Sequence, residues 1–456
     1  MKAFFDDNVF LSNPTAATLY GTVRDLPVYD YHCHLSPKEI YEDKQFDNIS
    51  QLWLYGDHYK WRLMRQAGVD ERLITGDASD HDKFVAFATV LPLFCSNPVY
   101  HWSHMELVKY FNIRMPISAT TAEEIWQKTS EIIAEGGFSA RSLIVRSGVT
   151  HVVTTDEVTS DLSYHKLLTD SEHRFAVRPG FRCDKLMDVA NLCTTLAELE
   201  PLCGRIDDFD DFVHAIEQRA EYFNANGATV SDVSLGNFPQ YASPIRGKRA
   251  FAKILEGDYT QADVEAFRFN VLVALGKVNA KYNWAMQLHC SVMRNNSTRL
   301  YGALGRDVGG DSVAEAPNIN NLKSLLDTLD SAKSLPKTVV YTMCEAAYQQ
   351  VLSLLGCFAG EVRGKLQLGA AWWFCDSRDG ITRQLKAYAN GGGLGMFNGM
   401  LTDSRSFTSY ARHDFFRRVL CSVVGEWVEN GELPLEQAEQ TVANVCYNNA
   451  LAYFGK

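Results

Sequence analysis

Short apolar runs alternate with helical patterning over most of the chain, and that rhythm allows few folds. After residue 148 the runs fall at 149–156, 175–182, 227–235, 285–289, 337–343, 365–374 and 396–403. An eighth run, 28–35, stands near the start. It reads Val-Tyr-Asp-Tyr-His-Cys-His-Leu and follows the turn-forming Leu26-Pro27. Strands that alternate with helices predict a parallel sheet covered on both faces. Eight such units predict an α/β chain closed as a (β/α)8 TIM barrel. A doubly wound open sheet is the competing arrangement. No Gly-x-Gly-x-x-Gly follows an early strand, so nothing supports a dinucleotide fold.

The 456 residues exceed the roughly 250 that a barrel needs. Residues 1–35 are read as an N-terminal helix, with Pro14 near its start and Leu19 and Tyr20 toward its end, and the first barrel strand. Residues 36–148 read as a helical insertion after that strand. In it, Asp57 can cap a helix over 58–66 that Gly68 closes. Thr121-Ala-Glu-Glu opens another, with acids in the first turn where the helix dipole favours them. Residues 149–456 supply the remainder of the barrel.

Net charge is −11, which argues against nucleic acid and anionic membrane as partners, since both need a basic surface. An anionic substrate therefore needs its own local arginines. The 11 cysteines form no Cys-x-x-Cys pair, and the acidic residues near the start do not suit a signal peptide. No apolar run reaches the ~18 residues of a membrane span. A soluble cytoplasmic protein is the expectation.

Alternation along the first strand puts Asp30, His32 and His34 on one face. Two imidazoles at i and i+2 can reach one metal ion from a rigid element. They can equally be two solvated histidines at a strand end. Asp403 ends the last predicted strand, which neighbours the first in a closed barrel. There it can complete a three-ligand site and act as a base. Its competing reading is a helix N-cap beside Ser404 and Ser406. Arg405 lies two residues on.

Arg182, followed by Asp184 and Lys185, offers a guanidinium fork for a carboxylate, or a surface ion pair with Asp184. His58 and Arg62 share a helix face that could cover the barrel mouth. The dense aromatics Trp53, Tyr55, Tyr59 and Trp61 favour a packing helix instead. His289 ends the fifth strand and precedes Arg294. Trp372-Trp373 could lie under a sugar ring or in the core. His101, His104 and His413 read as structural.

Several motifs in order match one known family. They are DYHCHL at 30–35, WLYGDHYKWRLMR at 53–65, TGDASD at 75–80, NPVYHW at 97–102, QLHCSVMRNN at 287–296, AAWWFCDSRDG at 370–380 and GMLTDSRSF at 399–407. On these the chain resembles the uronate (glucuronate) isomerases of the amidohydrolase superfamily, over nearly its whole length.

The resemblance implies a distorted, metal-dependent-hydrolase-like barrel holding one divalent ion, usually Zn²⁺, with Mn²⁺, Fe²⁺ or Co²⁺ compatible with the same donors. His32, His34 and Asp403 match its metal ligands. Tyr59, His58, Arg405 and Arg182 match positions of substrate binding and proton handling, and His289 and Trp373 are placed with the substrate. The implied reaction converts D-glucuronate to D-fructuronate and D-galacturonate to D-tagaturonate. A homo-oligomer acting on a small hexuronate is expected. The alternative on the same ligands is a metal-dependent hydrolase, a lactonase or deaminase. Two departures stand out: Ser231-Asp232-Val233 where the family commonly has Ser-Asp-His, and Phe181-Arg182-Cys183-Asp184-Lys185 for Trp-Arg-Pro-Asp-Lys.

Overall fold

The structure is a computed structural model that describes residues 3–358, 360 and 362–455. Seven strands make one parallel sheet: β1 (Val28–Asp30), β2 (Val149–Glu157), β3 (Ala176–Arg182), β4 (Val230–Ser234), β5 (Ala285–Cys290), β6 (Lys337–Thr342) and β7 (Leu366–Leu368). Each pairs with the next in chain order, so the sheet curls through successive neighbours. The registers bring Glu157 opposite Arg182, Ser234 opposite His289 and His289 opposite Tyr341. Polar strand ends thus gather at one rim. Every residue of β5 is buried, as expected where helices cover the outside and side chains fill the inside.

The eighth predicted strand does not form. Residues 397–404 lie against the end of β1 without a ladder. The Asp403 N–H reaches the His32 carbonyl at 3.2 Å, and the His34 N–H reaches the Ser404 carbonyl at 2.9 Å. A parallel ladder would send that second bond to Asp403. The cause is local: Asp403 has φ +46, a left-handed conformation that breaks an extended strand. Side chains take over the closure. The Asp30 carboxylate accepts the Thr402 N–H at 2.8 Å and its hydroxyl at 2.5 Å. On the other side Gln367 accepts the Asn398 N–H at 3.0 Å and donates to the Met396 carbonyl at 3.0 Å. The fully strand-closed (β/α)8 barrel is therefore corrected to a seven-stranded sheet whose gap is filled by an irregular segment.

Between β1 and β2 the described residues form helices, among them His58–Gln66, Pro98–Phe111 and Ala140–Arg146. Asp57 caps the first by accepting the N–H groups of Tyr59 and Lys60, and its other oxygen meets the Lys60 ammonium at 2.6 Å. Buried apolar residues form a single cluster that runs from Phe5 through these helices to Phe454. The helical segment is thus built into the barrel's core. Among the described residues no helix is long and apolar enough to cross a membrane.

Candidate metal centre and active-site chamber

Asp403 stands where the gap-filling segment meets the end of β1. Its Oδ1 lies 3.4 Å from His32 Nε2 and 3.1 Å from His34 Nε2. One donor atom from each of the three lies within 4.8 Å of the others. Donors bound tetrahedrally at ~2.0–2.1 Å are separated by roughly 3.3 Å, so the two measured gaps suit a shared ion. The donor set is also held from behind. His34 Nδ1 meets the Thr155 hydroxyl at 2.7 Å, which turns Nε2 inward. The Trp372 indole N–H donates to Asp403 Oδ2 at 2.7 Å and fixes the carboxylate plane.

The electrostatics suit the same role. Burial pushes His34 down to about 4, against the pull of Asp403, so it is neutral at pH 7. Burial opposes ionisation of Asp403, yet the hydrogen bonds from His32 and His34 outweigh it and hold the carboxyl well below its usual range. Burial lowers His32 as well, but the hydrogen bond to Asp403 and the Asp232 charge outweigh it and raise its pKa. A divalent cation, which needs neutral imidazoles and an ionised carboxylate, therefore competes with a proton on that ring.

The three side chains open on an inner chamber of about 50 Å³. His58, Arg182, Asp232, His289, Trp373 and Arg405 also line it. The chamber is far below the ~300 Å³ where small-ligand sites begin. It communicates with an outer cleft of about 1200 Å³, and His34, Arg182, Ser234, Arg294, Asp307 and Arg405 face both spaces. A sugar acid can thus put its reacting end inside and its tail in the cleft.

The arginines sit along that path. Arg405 contacts His58 Nδ1 at 3.2 Å and Asp307 at 3.1 Å. Arg182 donates to Asp184 at 2.7 Å while its guanidinium lines the chamber, so both readings of this residue hold at once. Asp184 is braced in turn by the Ser234 N–H at 2.7 Å. His289 stacks on Tyr341, with ring centres 4.4 Å apart, and its Nε2 has no hydrogen-bond partner among the described residues. Asp232 likewise leaves Oδ1 buried and unpartnered, and burial raises it to about 6 against the nearby His32 and Arg182. Such unsatisfied polar atoms around one small space mark where a ligand completes the hydrogen bonding.

Tyr59 is the one candidate that does not line the chamber. Its ring stacks with His58 at 4.9 Å and lies 6.3 Å from Trp373, and its hydroxyl is buried without a partner. His101, His104 and His413 stay outside the chamber. Two chamber residues were not named by sequence reasoning, Asp307 and Ser234, and Trp372 and Arg294 were named without the contacts they make here. Asp307 and Arg294 belong to a stretch with little regular structure, where no periodicity could flag them. Val233 falls between Asp232 and Ser234, the two β4 residues that face the chamber, so strand alternation turns it away. The departure from Ser-Asp-His therefore affects packing against the outer helices.

Comparison with known proteins places the whole chain in one family. The family profile described as glucuronate isomerase matches residues 1–454. A uronate isomerase from Caldanaerobacter subterraneus subsp. tengcongensis is 46% identical over 465 residues, covering 100% of both chains. One from Bacillus licheniformis is 44% identical, covering 100% of this chain and 98% of its own. The crystal structure of uronate isomerase from Thermotoga maritima superposes with a TM-score of 0.94 at 32% identity, over 99% of this chain and 100% of that one. From a full-length match on sequence and fold, the chain belongs to the glucuronate isomerase family.

Proposed function

We propose that the chain interconverts aldose and ketose forms of a hexuronate, D-glucuronate with D-fructuronate and D-galacturonate with D-tagaturonate. The observation that carries this reading is the meeting of His32, His34 and Asp403 in a chamber flanked by Arg182 and Arg405. Arginines lining the site of a chain with net charge −11 favour an acidic substrate. Full-length similarity to uronate isomerases weighs against the hydrolytic alternative.

His32, His34 and Asp403 would hold one divalent ion, with zinc the first choice for this donor set. When bound, the ion supplies Lewis acidity that stabilises negative charge on the sugar oxygens as C2 is deprotonated. Asp403 takes the proton from C2: its carboxylate is ionised, and Oδ2 keeps a lone pair beyond the Trp372 bond. Arg405, next to His58, offsets developing oxyanion charge. Tyr59, packed behind His58 and 6.3 Å from Trp373, is assigned the proton at C1. Arg182 holds the C6 carboxylate, and His289 and Trp373 wall the sugar, so binding energy far from the reacting carbons orients them.

Incubation with D-glucuronate in D₂O tests this. Proton NMR should show the ketose forming, with loss of turnover on chelation. Asp403→Asn should lower kcat by ~10²–10⁴, the range for a positioned base. Turnover near that of the parent chain in the metal-loaded variant would remove Asp403 from this role.

A further inference from the structure

A second cavity opens at the opposite end of the sheet. Its volume is about 480 Å³, within the range of small-ligand sites. Its walls include 24–28, which lead into β1, and 146–148, which lead into β2. It therefore lies at the face where strands begin, away from Asp403.

The charges there do not balance. Arg24, Lys109, Arg146, Arg417 and Arg418 line it, against Asp25 and Asp414. The two carboxylates are already engaged. Asp25 meets Arg24 at 3.0 Å, and Asp414 meets Arg418 at 2.9 Å. The other three cations have no carboxylate partner among the described residues. Arg417 is buried and donates only to the carbonyls of Arg24, Leu26 and Pro27. Arg146 donates to the carbonyls of Gly137 and Tyr110. The Lys109 ammonium lies 5.9 Å from the centre of the Tyr110 ring, and its side chain, like that of Arg146, is exposed at the cavity mouth. Although it reaches solvent, partial desolvation holds it below its usual pKa; Asp414 counters this, while the facing Arg417 and Arg146 add to it. Carbonyls satisfy donors but do not cancel charge, so three positive charges face one space in an otherwise acidic protein.

We propose that this cavity binds a small organic dianion of the phosphomonoester class. A phosphate head carries about two charges at neutral pH and accepts both guanidinium forks and an ammonium. A monocarboxylate would leave two cations uncompensated. Val9, Leu26 and Met105 on the same wall accommodate an apolar body beside the head group.

Isothermal titration of phenyl phosphate into the metal-loaded full chain, at constant ionic strength, tests the assignment. Saturable one-site binding is expected, weaker for inorganic phosphate, which lacks the apolar body. Lys109→Gln and Arg146→Gln should each weaken it at least tenfold. Arg182→Met should leave it intact, because the site is not the catalytic chamber. Two variants at separate helices keep the test open if one folds poorly. No saturable heat, affinity unchanged from the parent chain in both glutamine variants, or loss of binding in Arg182→Met would overturn the proposal. So would a concentration-dependent dimer that both variants dissociate without any phosphate binding, which would assign these cations to a second copy of the chain.

Discussion

The Trp372 indole does more than fill space. Its N–H holds one oxygen of Asp403 while the other faces two imidazoles. Trp372→Phe keeps the ring and removes the donor. The carboxylate then loses its fixed plane, and kcat is expected to fall ~10–100-fold with metal content unchanged, as for other supporting residues of metal sites. Steady-state kinetics with metal analysis checks this; unchanged kcat would contradict it. His32 and His34 were legible in the sequence as an i, i+2 pair on the run 28–35; the strand itself ends at Asp30, and the pair projects from the extended segment just beyond it. The tryptophan's contact was not, since nothing local distinguishes an indole that donates to a site carboxylate from one in the core. The same holds for Asp307, whose partner Arg405 is 98 residues away.

At the scale of elements, Asp30 decides how the sheet closes. It is fully buried and takes both the N–H and the hydroxyl of Thr402, one residue before Asp403. Asp30→Ala leaves a buried N–H without an acceptor and frees the segment that carries Asp403, a proposed metal ligand. A loss of about 3 kcal/mol is expected from removing a charged acceptor with two bonds. A lower urea midpoint with weaker metal retention would show it; an unchanged midpoint would contradict it. Seven of the eight predicted strands form because their β-branched runs face helices on one side and the barrel interior on the other. The eighth was misread because Asp403 adopts a left-handed conformation, which its residue type tolerates but does not announce. The cap of the helix His58–Gln66 was readable because an aspartate before a helix has one local use.

For the whole molecule, acid is expected to be the weak direction. Burial depresses His104 and His165 to about 4. His104 has both ring nitrogens committed, contacting the Tyr100 carbonyl at 2.7 Å and accepting the Ile117 N–H at 2.9 Å, and His165 Nε2 meets the Thr154 hydroxyl at 2.9 Å. The unfolded imidazole titrates at ~6.5. Between that value and about 4 the unfolded chain binds protons that the folded chain refuses. Their contribution to stability is therefore whole above pH ~6.5 and is lost as pH falls through about 4, by up to ~1.4 kcal/mol per pH unit for each imidazole. Urea midpoints should drop steadily from pH 7 to pH 5. A flat profile would contradict these burial-driven shifts.

The central claim is that the chain's first strand and its last sheet-side segment grip one cation between them. Anomalous diffraction from crystals of the protein as purified tests it directly. The account predicts a single strong peak within bonding distance of His32 Nε2, His34 Nε2 and Asp403, lost on chelation together with hexuronate turnover. A fully active protein whose anomalous density shows no ion at these three side chains would contradict it.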